Sequence, residues 1–173
     1  ADMKRLISLT ALICLSAGTA HAGPEAFAPG PLIPAHGRVA PVENAEPIPA
    51  DVRLRVVFDV AEAGQADGVN RRFETVARFL NMHAAAGVPS ARLEAALVVH
   101  GAAARELTRT EDNANAALVE ALIANGVRIY LCGQTAAYYD IKAEDLLPGV
   151  RMALSAMTAN ALLQQQGYTL NPF

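Results

Sequence analysis

From Val52 onward the chain alternates short strand-like runs with helix-spaced segments, and this alternation admits very few folds. Residues 54–60, Leu-Arg-Val-Val-Phe-Asp-Val, are β-branched and aromatic and predict a strand. Asn70 then caps a stretch with Phe73, Val76, Ala77, Leu80 and Ala84 at helical spacing, closed by Gly87 and Pro89. Residues 93–99 form an apolar run ending in His100-Gly101, as a buried parallel strand reads. A helical piece over 102–107 and a helix over 113–124 follow, with Gly126 beyond its end. The next apolar run, 127–131, ends at Cys132-Gly133 and leads into a short helical segment over 135–139. A turn at 145–149 opens a strand over 150–155, then a helix over 156–166 stopped by Gly167, then an edge strand over 168–170. Apolar strands separated by helices require a mostly parallel sheet covered on both faces. The expectation is one α/β domain over residues 51–173, with about five strands.

The first residues read as a targeting segment. Lys4 and Arg5 form a short positive region, Leu6 to Ala17 is an apolar run of twelve residues, and Ala20-His21-Ala22 gives a small-x-small cleavage pattern. The run is too short for a transmembrane helix, which needs about 20 residues, so no stable membrane insertion is expected. Ala1 and Asp2 precede Met3 and read as additions ahead of the expected initiator. Residues 1–22 are therefore expected to be these additions plus a signal peptide. The expected location is the bacterial periplasm. The alternative is that residues 6–22 form a helix of the mature protein.

Residues 23–50 follow as a proline-rich arm, with seven prolines between Pro24 and Pro49. Proline fixes φ and removes a donor, so an extended arm is expected instead of a packed element. It is either a mobile leader or a strap across a neighbouring subunit.

Charge excludes one class of partner. Without Asp2, Lys4 and Arg5, the basic residues fall from 14 to 12 and the acidic from 17 to 16, a net of −4. With no basic patch interleaved with aromatics, nucleic acid is not an expected partner.

Cleavage after Ala22 would remove Cys14 and leave Cys132 as the single cysteine. A lone thiol is inert filler, an intermolecular partner, or a reactive sulfur at a strand-to-helix turn. Ligands of open α/β sheets bind outside the carboxyl ends of the strands. His100, Cys132 and Ser155 fall at such ends, and Asp59 joins them from the first strand. Free amides of the helix after Cys132 would favour thiolate over thiol, and Gly133 would admit a bulky sulfur ligand to the backbone. His100 would move a proton or hydrogen-bond the bound sulfur. The bland readings stand beside these: free cysteine is commonly a small buried hydrophobe, and His100 a satisfied strand-end residue. Asn115 is either a helix cap or part of the pocket wall. His36, His83 and His100 have no metal-ligand spacing, so neither metal nor organic cofactor is expected. Phosphate-loop, dinucleotide and nucleophile-elbow signatures are missing.

Taken together, several short motifs carry a resemblance. They are Val98-Val99-His100-Gly101, Ile129-Tyr130-Leu131-Cys132-Gly133-Gln134, residues 145–150 (Asp-Leu-Leu-Pro-Gly-Val), residues 153–158 (Ala-Leu-Ser-Ala-Met-Thr) and Gln166-Gly167-Tyr168. In this order they resemble the DsrE/DsrF-like family, and more narrowly its exported bacterial branch, from about residue 52 to the C-terminus. The resemblance implies a flavodoxin-like layered fold assembled as trimers or hexamers. It also implies sulfur relay, in which a cysteine carries a persulfide between donor and acceptor proteins. Cys132 would carry the sulfur and His100 would assist. Gly101, Gly133, Gln134, Asn115 and Ser155 would line the binding site. The sulfur-relay members place their cysteine in a different local sequence, often near other cysteines. A ligand-binding or assembly module of the same fold is the alternative.

Overall fold

The computed structural model describes residues 23–66 and 68–173. The proposed signal peptide and Cys14 lie outside them. Strands Leu54–Val60 (β1), Leu93–Val99 (β2), Arg128–Cys132 (β3), Arg151–Ala153 (β4) and Thr169–Asn171 (β5) form one sheet. Their order is β4-β3-β2-β1-β5, and every pairing is parallel. Between them run helices Arg71–Ala85 (α1), Ala116–Ala124 (α2), Gly133–Tyr139 (α3) and Ala156–Gln165 (α4).

Connection handedness explains the layering. The chain steps in one direction across the sheet from β1 to β4, and right-handed crossovers therefore place the intervening helices on one face. The return from β4 to β5 runs the other way and puts α4 on the opposite face. The strands' period of two sorts the cores accordingly. Phe58, Val60, Leu97, Val99, Ile129 and Leu131 pack with Phe73, Val76 and Leu80 of α1 and Leu118 and Leu122 of α2. Val57, Ala96, Val98 and Cys132 meet Ala156, Ala159 and Leu163 of α4. Full burial of a residue such as Phe58 stabilises the fold by about 1.5–3 kcal/mol. The layering is flavodoxin-like, with its own strand order.

Side-chain hydrogen bonds move two element boundaries. β4 ends at Ala153, short of residue 155, because Ser155 is the N-cap of α4 and its Oγ accepts from Thr158 N at 3.0 Å. α2 begins at Ala116, after a turn built on Asn113, whose Nδ2 donates to the carbonyls of Glu106 and Thr108 while its Oδ1 accepts from Asn115 N. The last strand is shifted one residue and lies at the edge, beside β1.

The proline-rich arm is not wholly extended. Its first half packs on α1 of its own chain, with Ile33 only 2% exposed. Asn81, fully buried on α1, satisfies the returning backbone. Its Oδ1 accepts from Leu32 N and Ile33 N, and its Nδ2 donates to the carbonyls of Ile33, His36 and Gly37. A Cβ at Gly30 would lie 2.2 Å from the Asn81 side chain, so only glycine allows that approach. Residues 41–51 are exposed.

Candidate site at the carboxyl edge of the sheet

Cys132 is the last residue of β3 and the N-cap of α3. Its side chain falls on the α4 face of the sheet by the strand's alternation, which brings it under the start of a second helix. The sulfur consequently lies among the backbone amides of Thr135 and Gln134 in α3 and of Ala156 in α4, with the Thr135 hydroxyl beside them. Burial pushes the thiol's pKa up, but these four donors outweigh it and hold it below the ordinary cysteine value. The residue is 6% exposed.

Other site residues act around this thiol in different ways. Gly101 reaches it at one remove: its amide donates to Thr135 Oγ1 at 3.3 Å, leaving the hydroxyl proton for the sulfur. Its φ of +55° and a Cβ position 2.9 Å from Ala61 O favour glycine there. Gly133 serves a purpose other than the one expected. A Cβ on it would lie 2.5 Å from Ala153 O and 3.1 Å from Leu154 O. The glycine thus lets the β4–α4 link close over the thiol, and the space expected for a ligand is filled by backbone. Gln134 has its backbone amide near the sulfur, and its Nε2 donates to Leu154 O at 3.3 Å, tying the two helix starts together. Ser155 does not meet the sulfur through its side chain. It caps α4 and so places the Ala156 amide.

His100 follows Val99, whose register partner is Leu131, so His100 and Cys132 end adjacent strands at one level. His100 Nε2 lies 3.0 Å from Asp59 Oδ2, and Asp59 Oδ1 accepts from Asn160 Nδ2. Both members of the His100–Asp59 pair are half-buried. This fixes the imidazole and leaves Nδ1 as the ring nitrogen for exchange. Among the described residues no hydrogen bond joins His100 to the sulfur, so the histidine is a neighbour of the thiol, not its direct partner.

Asn115 is not brought to this site. Its Oδ1 accepts from Asn70 N at 2.8 Å, in a network where Glu106 holds Gly64 N and Asn70 Nδ2. That network secures the β1–α1 connection, and a carboxamide so engaged is a structural bracket. Thr135 and Asn160, by contrast, belong to the site although nothing in the local sequence marked them. Thr135 was visible only as the third residue after Cys132. Asn160 sits in α4 between Ala159 and Ala161, where nothing nearby in sequence signals a polar role.

Among the described residues no group of three or more His, Cys, Asp or Glu could hold a metal ion, and no helix is long and apolar enough to cross a membrane.

A parallel five-stranded sheet with a donor-surrounded thiol at its carboxyl edge defines a layered α/β protein with a cysteine-centred candidate site. The chain belongs to the DsrE/DsrF-like family, whose model matches residues 55–172. Two solved structures share the fold. MTH1491 of Methanobacterium thermoautotrophicum, described as a protein of unknown function, is 22% identical, with a TM-score of 0.55 over 68% of this chain and 97% of its own. The ychN protein of E. coli is 16% identical, with a TM-score of 0.52 over 68% of this chain and 96% of its own. A comparison with curated proteins returns no match.

Proposed function

We propose that the protein handles sulfane sulfur, carrying it as a persulfide on Cys132. The observation behind this is the set of four donors around one sulfur, three backbone amides from two helices and a hydroxyl, that lower its pKa. Such an arrangement stabilises a thiolate, and it would equally stabilise the terminal anion of a persulfide if that atom took the same place. In the proposed step the Cys132 thiolate attacks the outer sulfur of a donor such as thiosulfate. A new S–S bond forms to Cys132, the donor's S–S bond breaks, and sulfite leaves with the electron pair. No external oxidant or reductant is needed. His100, held by Asp59, would move protons for the incoming and outgoing species. A partner's thiolate would take the sulfur by the same exchange in reverse.

The setting we infer is the periplasm, on the charge and cleavage pattern of residues 4–22. An assembly of several copies is part of the same reading. Leu154, Met157 and Tyr138, 73%, 79% and 82% exposed, form apolar surface on the elements that cover the thiol. Contact there would place a second copy or a sulfur-exchanging partner beside the site.

A second reading rests on the burial of Cys132: a thiol 6% exposed also suits a wall residue in a non-catalytic module. Cyanolysis separates the two. Protein incubated with polysulfide and desalted should release about one thiocyanate per chain on cyanide treatment, and Cys132→Ser none. Equal release from both proteins, or none from either, would establish the second reading.

A further inference from the structure

The amino edge of the sheet, opposite the thiol, carries a groove of about 800 Å³ that the sulfur chemistry does not use. Arg53 and Arg55 approach it from the start of β1, Arg128 from β3, and Glu94 from β2 between them. Parallel register sets this up: Arg55 pairs with Glu94, and Ala96 with Arg128, so the charged side chains share the α4 face at one end. Three guanidinium groups face one carboxylate, leaving two positive charges uncompensated in a chain whose overall formal charge is −3.

The guanidinium groups are positioned but not saturated. Glu94 Oε1 accepts from Arg55 Nε at 3.0 Å and Arg53 Nη1 at 3.2 Å, and Tyr168 Oη donates to Glu94 Oε2 at 3.3 Å. Arg53 Nη1 also reaches Ala91 O, Arg55 Nη1 reaches Gln166 O, and Arg128 Nη1 reaches Gln166 Oε1. Arg128 lies 4.7 Å above the Tyr168 ring centroid. Stacking uses the face of a guanidinium and leaves its in-plane N–H groups available. Among the described residues, Nη2 of each of the three arginines has no hydrogen-bond partner. Burial alone would raise the Glu94 pKa, but the bonds from Arg55, Arg53 and Tyr168 hold it below the ordinary carboxylate value, so the lone acid stays ionised near neutrality.

We propose that this groove is a second binding site, one that takes a doubly charged oxyanion on Arg53, Arg55 and Arg128. Guanidinium forks match the oxygens of phosphate, sulfate and carboxylate groups and bind them bidentately. Two surplus charges select a dianion over a monoanion, and the volume is in the range of small-ligand sites. The groove is open, so the ligand would keep one side in water.

Calorimetric titration at pH 8 with inorganic phosphate, sulfate and malonate at constant ionic strength, with acetate as the singly charged control, tests this and separates phosphate, sulfate and carboxylate sources. Saturable binding of at least one dianion is expected, weakened at least tenfold in the Arg55→Gln/Arg128→Gln protein and unchanged in Cys132→Ser. Glu94→Gln, which removes the opposing charge, should tighten it. The proposal is overturned by the absence of saturable binding of any dianion, by equal binding of acetate, or by undiminished binding in the double variant. If the double variant does not fold, Glu94→Gln decides: binding no tighter than wild type contradicts the site. None of these results depends on persulfide chemistry at Cys132.

Discussion

Ala156, first residue of α4, packs against Cys132, last residue of β3, and its backbone amide helps hold the thiol below the ordinary cysteine value. Two helix starts that come from opposite faces of the sheet thus converge on one thiol. The proposed chemistry depends on this convergence, and several consequences can be measured.

The thiol should titrate below an ordinary cysteine. Its absorbance as thiolate, followed against pH, is expected to show a midpoint under the usual value of about 8.5. Thr135→Val should raise that midpoint and slow alkylation at neutral pH by about tenfold, since a hydrogen bond to a charged group contributes ~1.5 kcal/mol or more. The stability linkage has a definite sign. The native thiol releases its proton at lower pH than the unfolded one, so between the two values the unfolded state binds more protons. Cys132 therefore adds stability that is fully present above the unfolded value and lost as pH falls through the native one. Denaturant titrations of wild type and Cys132→Ser across this range should show the difference growing with pH.

Gly133→Ala should damage both fold and site. Its Cβ would fall 2.5 Å from Ala153 O, backbone against which little can yield. A loss of about 1–3 kcal/mol is expected from such overpacking, read by denaturant unfolding. The displaced β4–α4 link would also carry the Ala156 amide away from the sulfur and raise the thiol midpoint.

Asp59→Asn should separate proton movement from thiolate formation. Because Asp59 bonds His100 and not the sulfur, the thiolate midpoint should stay in place. Sulfur transfer from thiosulfate should slow by about a hundredfold, the low end for a positioned acid–base group. A shift of the midpoint without a change in rate would remove His100 from the chemistry.

The elements and the site were not equally legible in the sequence. Period-two burial and helical spacing located all five strands and the helices, because burial on both faces demands apolar runs such as Leu97-Val98-Val99. The strand-end rule likewise picked out Cys132, His100 and Asp59. The sequence offers Gly133 as an opening for a ligand and Asn115 as a helix cap or pocket wall; in the structure Gly133 faces Ala153 O, and Asn115 is the N-cap of α2 and bonds Asn70 N. A glycine that admits backbone and one that admits ligand look the same in sequence, and an asparagine's partner depends on which loop folds over it. Asn160 was invisible because its partner, Asp59, lies 101 residues away. The packing of the arm has no local sequence signal for a related reason: one buried side chain on α1, Asn81, satisfies the turns that its prolines leave without ladder partners.

Asn81→Ala should accordingly loosen the arm. Removing the carboxamide strips partners from five backbone groups, several of them buried, and a loss of about 3 kcal/mol or more is expected. Hydrogen exchange should speed up at the amides of Leu32 and Ile33 while those of β2 remain protected.

Intact-mass measurement of the protein after incubation with thiosulfate or polysulfide bears most directly on the central claim. Increments of single sulfur atoms are expected on the wild-type chain, removed by a reducing thiol and missing from Cys132→Ser. A wild-type mass that never changes, or increments that persist in the serine variant, would contradict the assignment of sulfur carriage to Cys132.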